Sequence, residues 1–315
     1  MTEPDPRPVP TGGSALTGIS LKLVSVVMFV VMASLIKATS DVVPPGEAVF
    51  FRSFFAMPVI VVWLAARRQL RSGLKTSNPL GHLWRGLIGV TAMGCTFAGL
   101  GLLPLPEVTA IGFAAPILTV LFGALLLGER VRAFRMSAVV VGLVGVCVII
   151  WPRLTLDAST AAALGVAVVL LSAVFRALAQ IQIRRLVADE DTAAIVFYFS
   201  LTSTLLSLLT MPFGWAWPPI EAAALLVLAG LLGGVAQIFL TAAYRFGEAG
   251  LLAPFDYAAM LVSIVIGYAV FDEVPTRAML IGATIVIASG VAIILRERQL
   301  GLKRGRGRAG MTPQG

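Results

Sequence analysis

One apolar pattern occurs twice in the chain. The first copy is Gly123-Ala-Leu-Leu-Leu-Gly-Glu129 and the second is Gly267-Tyr-Ala-Val-Phe-Asp-Glu273, so the glycines and the glutamates are each 144 residues apart. A polar turn and a second apolar run follow each glutamate, and these runs contain Gly145 and Gly290, which are 145 residues apart. The two spacings differ by only one residue over this distance, which indicates an internal duplication. Such a repeat defines the architecture more strongly than a short motif does.

The repeated unit is almost wholly apolar, which places the chain among membrane proteins. Hydrophobic residues make up 58% of the 315 residues and charged residues 13%, with a mean hydropathy of +0.94. A soluble domain usually carries about 25% charged residues. Cys95 and Cys147 both lie in apolar segments, and His82 is the single histidine. These counts predict no disulfide framework, no metal site and no cofactor.

Ten apolar segments follow one another along the chain. Each is close to the roughly 20 residues that a helix needs to cross a bilayer. Continuous runs of this kind are typical of helices, because the strands of a membrane barrel are shorter and alternate in polarity. The segments are 19–38, 47–66, 83–103, 107–128, 134–151, 161–183, 193–213, 219–243, 249–271 and 277–295. The predicted fold is an all-α integral membrane protein.

Basic residues concentrate on one predicted side of the membrane. Nineteen of the 24 lysines and arginines lie in the two tails, in the loops that follow even-numbered segments, or within four residues of these tails and loops. Since cytoplasmic loops are rich in basic residues, we expect both termini in the cytoplasm, in a bacterial-type inner membrane. Five segments per half is an odd number, so the second half enters the membrane inverted. Two inverted five-helix repeats are typical of secondary transporters.

Particular stretches of the chain resemble a known family. They are Leu105-Pro-Glu-Val-Thr-Ala-Ile-Gly-Phe-Ala-Ala-Pro-Ile-Leu-Thr119 with Leu127-Gly-Glu-Arg130, and their counterpart Gly247-Glu-Ala-Gly250, Asp256-Tyr257 and Phe271-Asp-Glu-Val-Pro275. In these stretches the chain resembles the EamA-type branch of the drug/metabolite transporter superfamily, in which exporters of amino acids are familiar members. The second copy departs from the usual Leu-Gly-Glu by having Asp272 in place of glycine.

The resemblance implies a division of the chain into four parts. EamA-like repeats would occupy residues 19–152 and 160–296, with a disordered cytoplasmic tail over 1–18 and a basic cytoplasmic tail over 297–315. It also implies a central cavity lined by helices one, three, four, six, eight and nine.

Arg176 is the strongest candidate for substrate binding. It lies deep in the sixth segment, where a charged side chain is costly and should face a cavity or a partner. Ser172, Arg176 and Gln180 are four residues apart, which places them on one helix face. Arg176 would bind a carboxylate or another anionic group. The alternative is a structural ion pair or a hydrogen bond between helices.

Further candidates lie in the third, eighth and ninth segments. Asp256 is at the same predicted depth as Arg176, so the two charges could form a permanent salt bridge, or Asp256 could bind an amine or a coupling proton. Polar groups at depth need partners. The remaining predicted site residues are Tyr257, Gln237, Tyr244 and Thr91.

Several polar residues are predicted to have structural roles. Lys37 and Arg52 are expected to extend towards the membrane surface from near the ends of their segments. His82 is expected to be an ordinary boundary residue. Glu129 and Glu273 are expected to organise turns by accepting hydrogen bonds from the next helix.

The sequence favours a secondary transporter over other classes. No Gly-x-x-x-x-Gly-Lys, His-Glu-x-x-His or Gly-x-Ser-x-Gly motif occurs, so neither ATP drive nor an integral-membrane enzyme is supported. We predict export of small organic metabolites, amino acids first, by alternating access. A riboflavin-type vitamin or a nucleoside is the alternative substrate. The expected partners are the substrate and the lipid bilayer, without nucleic acid, while proton coupling and a homodimer stay open.

Overall fold

The computed structural model describes residues 12–127, 133–153, 159–186, 190–215, 217–246 and 252–309. Within these ranges the chain consists of helices and their connections. The helices are α1 (Gly12–Ala38), α2 (Pro45–Ala66), α3 (Leu70–Gly73), α4 (Pro79–Leu102), α5 (Leu105–Gly112), α6 (Ala114–Leu127), α7 (Ala133–Ile150), α8 (Thr160–Leu186), α9 (Thr192–Leu208), α10 (Ile220–Phe246), α11 (Ala258–Phe271) and α12 (Arg277–Ala309). A 3-10 turn over Trp151–Arg153 follows α7, and another over Ala253–Tyr257 precedes α11.

Ten of these segments have the character of membrane spans. In the described ranges, seven are long and apolar enough to cross a bilayer, and three are shorter apolar helices over Ala193–Leu208, Phe255–Phe271 and Arg277–Ile293. The predicted all-α membrane fold is therefore confirmed. One predicted boundary differs, because α1 begins at Gly12 and residues 12–18 are helical, whereas a disordered tail was expected there. Residues 1–11 of that predicted tail lie outside the described ranges.

The fourth span is broken in its middle. It runs over Leu105–Gly123, but α5 ends at Gly112 and α6 begins two residues later. Pro116 lies in the first turn of α6, where its missing N–H removes the partner that the Gly112 carbonyl would have in a continuous helix. Gly112 and Phe113 at the break are both buried. The break is a single residue, Phe113, which keeps a right-handed helical conformation and lies in the interior of the bundle.

Helix packing follows a two-fold pattern that relates the two halves. α1 packs on α10 as α8 packs on α4, and α2 packs on α10 as α9 packs on α4. The pairs α2–α9 and α7–α12 each join a helix to its own counterpart. Exchanging each span with the span five places later leaves this pattern unchanged. The two five-span halves are thus related by a pseudo-two-fold axis, and their odd span number makes the repeat inverted.

Two glycines bring α7 and α12 into close contact. A Cβ on Gly145 would lie 2.9 Å from the carbonyl oxygen of Gly282, and a Cβ on Gly282 would lie 2.5 Å from the carbonyl oxygen of Gly145. Backbone atoms cannot turn aside as the end of a side chain can, so small residues are needed where helices approach this closely. The fifth and tenth spans therefore use these glycines to pack against each other within one chain.

Gly282→Ala is expected to destabilise the folded protein by about 1–3 kcal/mol, because the added Cβ must push the two backbones apart. Thermal unfolding of the purified protein in detergent measures this effect. Gly94→Ala is the matched control, since a Cβ on Gly94 meets nothing within 4 Å. Indistinguishable unfolding temperatures for the two variants would contradict the importance of this contact.

A buried hydrogen-bond cluster lies at one end of the bundle, where α4 begins. The side chain of Glu190 is 1% exposed. Its carboxylate accepts hydrogen bonds from the backbone N–H groups of Ser77 and Asn78 and from the hydroxyls of Thr76 and Ser77. Nε2 of His82 lies 3.2 Å from the second carboxylate oxygen. The prediction of an ordinary boundary residue at His82 was wrong, because its side chain is buried in this cluster.

The Glu190 cluster predicts a loss of stability in acid. Burial alone would raise the pKa of Glu190, but the nearby His82 side chain and the hydrogen bonds from Ser77 and Thr76 outweigh burial and lower that pKa from 4.5 to about 2. A carboxylate with a lowered pKa stabilises the folded state above its unfolded pKa, and this contribution is lost as the pH falls from about 4.5 to about 2.

Glu190→Gln should therefore unfold at a lower temperature than the wild type near neutral pH, and the difference should shrink across this acidic window. Thermal unfolding in detergent at several pH values measures both effects. Parallel pH curves for the two proteins would show that this carboxylate does not contribute.

Candidate substrate site

Arg176 lies in the middle of α8 and donates a hydrogen bond to α4. Its Nη2 is 3.1 Å from Oγ1 of Thr96. That hydroxyl is 2.6 Å from the hydroxyl of Ser172, which also lies 2.7 Å from the carbonyl oxygen of Ala92. This network fixes the direction of the Arg176 side chain, while a guanidinium with five N–H donors keeps others available.

The guanidinium of Arg176 faces the interior of the bundle. A Cβ on Gly112, at the break in the fourth span, would lie 3.3 Å from Nη1 of Arg176. The Arg176 side chain is nevertheless exposed, although its Cα is ten residues from the nearer end of α8. Because Arg176 contacts α4 and α5, the accessible space beside it lies between helices. The predicted position of Arg176 at a cavity stays a prediction.

The helix break also contacts Tyr257. The rings of Tyr257 and Phe113 meet edge to face, with centroids 5.2 Å apart and planes at 67°. The hydroxyl of Tyr257 lies against Gly290 of α12, where a Cβ would overlap it. Gly112 and Phe113 are consecutive, so Arg176 and Tyr257 lie beside neighbouring residues at the same helix break.

Asp256 pairs with Lys22 and not with Arg176. Nζ of Lys22 lies 2.6 Å from Oδ1 of Asp256, and the side chains are 3% and 48% exposed, respectively. The carboxylate therefore joins α1 to the start of the ninth span and keeps an accessible face. Of the alternatives that the sequence left open for Asp256, the salt bridge with Arg176 does not occur in this structure. Lys22 was missed as a site residue because it was counted with the N-terminal tail, although its position inside an apolar segment was a usable signal.

The other predicted residues lie on α4, α8 and α10. Gln180 is exposed one turn after Arg176, and Gln237 is half-buried on α10. The hydroxyl of Thr91 donates to the carbonyl of Leu87 in its own helix, which satisfies it locally. The backbone of Tyr244 is part of α10, but its side chain lies outside the described part of the chain. No contact is therefore assigned to Tyr244.

An ion pair joins the two repeats at the other end of the bundle. Nζ of Lys37 is 2.9 Å from Oε1 of Glu273, and each side chain is 14% exposed. Lys37 also donates to the carbonyls of Leu100 and Leu103 at the end of α4. Oε2 of Glu273 accepts a hydrogen bond from the N–H of Leu105, the first residue of α5. We name this set of interactions the Lys37 latch.

The Lys37 latch corrects several expectations. Lys37 does not extend to the membrane surface, because carbonyls and a carboxylate hold it inside. Arg52 does not extend to the membrane surface either, because it is buried, with 6% of its surface exposed. Glu273 organises a helix start as expected, but that helix belongs to the first repeat and is not the next one along the chain. Glu129, the matching residue of the first repeat, lies outside the described residues.

A crevice of about 260 Å³ lies near the Lys37 latch. It is bounded mainly by apolar side chains from α1, α2 and α4, including Ile36, Val43 and Phe97. Arg176 and Asp256 are not part of it. Because polar metabolites are oriented by a few convergent polar groups, the helix break with Arg176, Tyr257 and Asp256 is the better candidate for substrate binding.

Comparison with known proteins identifies relatives of this chain. The model of the EamA-like transporter family matches residues 16–151 and again 163–296. The pseudopaline exporter CntI of Pseudomonas aeruginosa strain UCBPP-PA14 is 30% identical over 281 residues, covering 88% of this chain and 95% of the relative. The S-adenosylmethionine uptake transporter of Rickettsia prowazekii is 28% identical over 253 residues, covering 80% of this chain and 84% of the relative.

A solved crystal structure supports the same fold. It superposes with a TM-score of 0.66 at 23% sequence identity and covers 91% of this chain and 98% of the other. The named relatives are transporters, as the sequence predicted, and not enzymes. The two matches to one family model, together with ten membrane segments in two inverted halves, show that this chain belongs to the EamA-like transporter family and is a multi-pass membrane transporter of small molecules.

Proposed function

We propose that this protein exports amino acids or amino-acid derivatives across a bacterial inner membrane, with both termini in the cytoplasm. Arg176 binds the carboxylate of the substrate, and Asp256 with Tyr257 binds the amine. The observation that carries this proposal is an accessible arginine in the middle of the bundle. Arg176 and Tyr257 lie against the same helix break, and Asp256 adjoins Tyr257 in the chain.

The interactions of the Arg176 side chain favour a role in substrate binding over a structural role. In the described part of the chain, the ion pairs do not include Arg176. A charged arginine at the middle of a membrane helix costs roughly 2.5–3.5 kcal/mol on insertion scales. A single hydrogen bond to the Thr96 hydroxyl offsets little of that cost. A planar guanidinium fits a carboxylate with two parallel hydrogen bonds, which is a stronger interaction.

Asp256 supplies the opposite charge. Lys22 satisfies one of its oxygens, and its accessible face leaves room for a second cation. A substrate ammonium would share the carboxylate with Lys22 or displace it. A proton could compete for the same carboxylate, so proton coupling through Asp256 belongs to this proposal. A zwitterion would then meet a cation and an anion at the helix break.

Alternating access follows from the inverted halves. Two inverted repeats can exchange conformations, so that a central site opens first to one side and then to the other. In the predicted orientation, the Lys37 latch lies at the outer end and ties α1, α4 and α5 to Glu273 of the second repeat. Opening outwards would require the latch to break. The latch thus marks the contact that must be exchanged during transport.

The names of relatives support small metabolites but differ in direction. One relative is named as an exporter of pseudopaline and another as an uptake transporter for S-adenosylmethionine, a derivative of methionine. A neutral vitamin or a nucleoside is the second candidate substrate. Such a substrate would use the Tyr257–Phe113 ring pair more than the charges.

Uptake into proteoliposomes tests this proposal. The reconstituted protein is offered labelled aromatic and aliphatic amino acids, methionine, riboflavin and a nucleoside, with and without an imposed proton gradient. Saturable amino-acid flux supports the proposal, and a response to the gradient would indicate proton coupling. Flux of riboflavin or the nucleoside alone would refute it. Export is tested by loading the same vesicles and comparing efflux with uptake for the two protein orientations.

A further inference from the structure

Two further arginines lie inside the bundle, on other helices than Arg176. Arg52 of α2 is 6% exposed, and Arg85 of α4 is partly buried. Both face the ring of Phe199 on α9, with Cζ of Arg52 at 5.9 Å and Cζ of Arg85 at 4.3 Å from the ring centre. The two guanidinium carbons are therefore no more than about 10 Å apart, the sum of these distances. We name this set the Phe199 cluster.

The cations of the Phe199 cluster have no anionic partner within the part of the chain that the structure describes. Nε of Arg52 and both Nε and Nη1 of Arg85 are buried without a hydrogen-bond acceptor. The ion pairs in that part of the chain include neither arginine. Arginine stays protonated in proteins, so two positive charges repel each other in a low-dielectric interior.

The contact with Phe199 does not by itself account for this arrangement. A cation–π contact stabilises a charge modestly, whereas an uncompensated buried charge is strongly unfavourable. Two arginines also share this one ring. An anion between the guanidiniums would remove the repulsion and satisfy the buried N–H groups together. One carboxylate or phosphate can accept charge-assisted hydrogen bonds of about 2.8 Å from more than one guanidinium, and the two guanidinium carbons are at most about 10 Å apart.

We propose that Arg52 and Arg85 form an anion-binding site that takes a carboxylate or phosphate group inside the bundle. The site is separate from the carboxylate site proposed at Arg176. Arg85 precedes Thr96, the partner of Arg176, by eleven residues on α4, which is about 16 Å along a helix. The inference depends on the Phe199 cluster alone, so it stands whether or not the protein transports amino acids.

The bound group can come from two sources with the same chemistry. A soluble carboxylate or phosphate would reach the cluster from water between the helices. The phosphate of an anionic lipid would reach it from the membrane, because Arg85 is only six residues from the start of α4. The experiment therefore has a separate arm for each source.

Thermal unfolding of the full chain in phosphatidylcholine nanodiscs tests the proposal. Inorganic phosphate and succinate are titrated at constant ionic strength, and a second set of nanodiscs contains phosphatidylglycerol. In the wild type we expect a saturable rise of several degrees in the unfolding temperature, since a ligand that binds only the folded state stabilises it. In Arg52→Gln and Arg85→Gln the apparent affinity should fall at least about tenfold, as expected for lost hydrogen bonds to a charged group.

Two controls separate this site from general charge effects. Arg67→Gln removes an exposed cation at the end of α2 and should keep the full rise. Arg277→Gln removes another exposed cation, at the start of α12, and should keep it as well. If a glutamine variant fails to fold, Arg52→Lys and Arg85→Lys keep the charge but lose the planar fork. Their affinity for phosphate should fall several-fold.

Each result either identifies the source of the bound anion or contradicts the proposed site. A rise with phosphate or succinate supports a soluble anion, and a rise with phosphatidylglycerol alone supports a lipid headgroup. Absence of any saturable rise in the wild type would overturn the proposal. Equal rises in the wild type and in both arginine variants would overturn it too.

Discussion

Arg176→Ala is expected to reduce the flux of amino acids by about 10- to 150-fold at low substrate concentration. The variant loses charge-assisted hydrogen bonds to the substrate carboxylate, which are worth about 1.5–3 kcal/mol, and each 1.4 kcal/mol corresponds to a factor of ten. Initial rates in proteoliposomes over a range of concentrations measure the loss. Arg176→Lys keeps the charge without the planar fork and should lie between the wild type and the alanine variant.

Arg67→Ala is the matched control for this variant, because it removes an exposed arginine from another helix. It should leave the flux near that of the wild type. The unfolding temperature of each variant shows whether a lost flux reflects lost folding. Amino-acid flux that survives in a folded Arg176→Ala protein would refute the carboxylate-binding role. Riboflavin flux that survives while amino-acid flux disappears would instead support it.

Breaking the Lys37 latch is expected to open the end of the bundle that holds it. Lys37→Met removes the ion pair and leaves two α4 carbonyls and the Glu273 carboxylate without their cation. The loss of hydrogen bonds to a charged group costs about 1.5–3 kcal/mol. The closed state should thus lose about 10- to 150-fold in population relative to the open one. Transport should slow as well, because one closed state is weakened.

Labelling of an introduced cysteine measures this opening. Ser40→Cys places a thiol in the crevice beside the latch, in a protein whose Cys95 and Cys147 are replaced by serine. A maleimide that cannot cross membranes should react faster with it in the Lys37→Met background. Arg153→Met is the control, because Arg153 pairs with Glu107 and neither residue belongs to the second repeat. Equal acceleration in both backgrounds would mean that the latch does not hold the repeats together.

The bilayer explains how much of the fold could be predicted from sequence. A membrane helix must be apolar over a fixed length and must satisfy its own backbone. Apolar runs therefore reveal the spans directly, and the spacing of Glu129 and Glu273 reveals the repeat. The depth of Arg176 could be predicted for the same reason. These features depend only on position along the chain.

Partners of charged residues could not be predicted in this way. Asp256 pairs with Lys22 and not with Arg176. This pairing depends on which helices are neighbours and on how each helix is rotated about its own axis. The same holds for Lys37, whose nearness to a span end suggested a surface position. The α4 carbonyls and Glu273 hold it inside because α1 ends beside them. Apolar length contains no information about rotation or neighbours.

The pairing of α2 with α9 and of α7 with α12 has a consequence for the origin of the chain. Each pair joins equivalent helices across the pseudo-two-fold axis. A five-span ancestor inserted in both orientations could have assembled with an antiparallel copy of itself through the same surfaces. Fusion would then have fixed one copy in each orientation and allowed the two to diverge. Lys37 and Glu273 illustrate this divergence. They are different residues in different halves, so their contact could be optimised at one membrane face without a matching change at the other face.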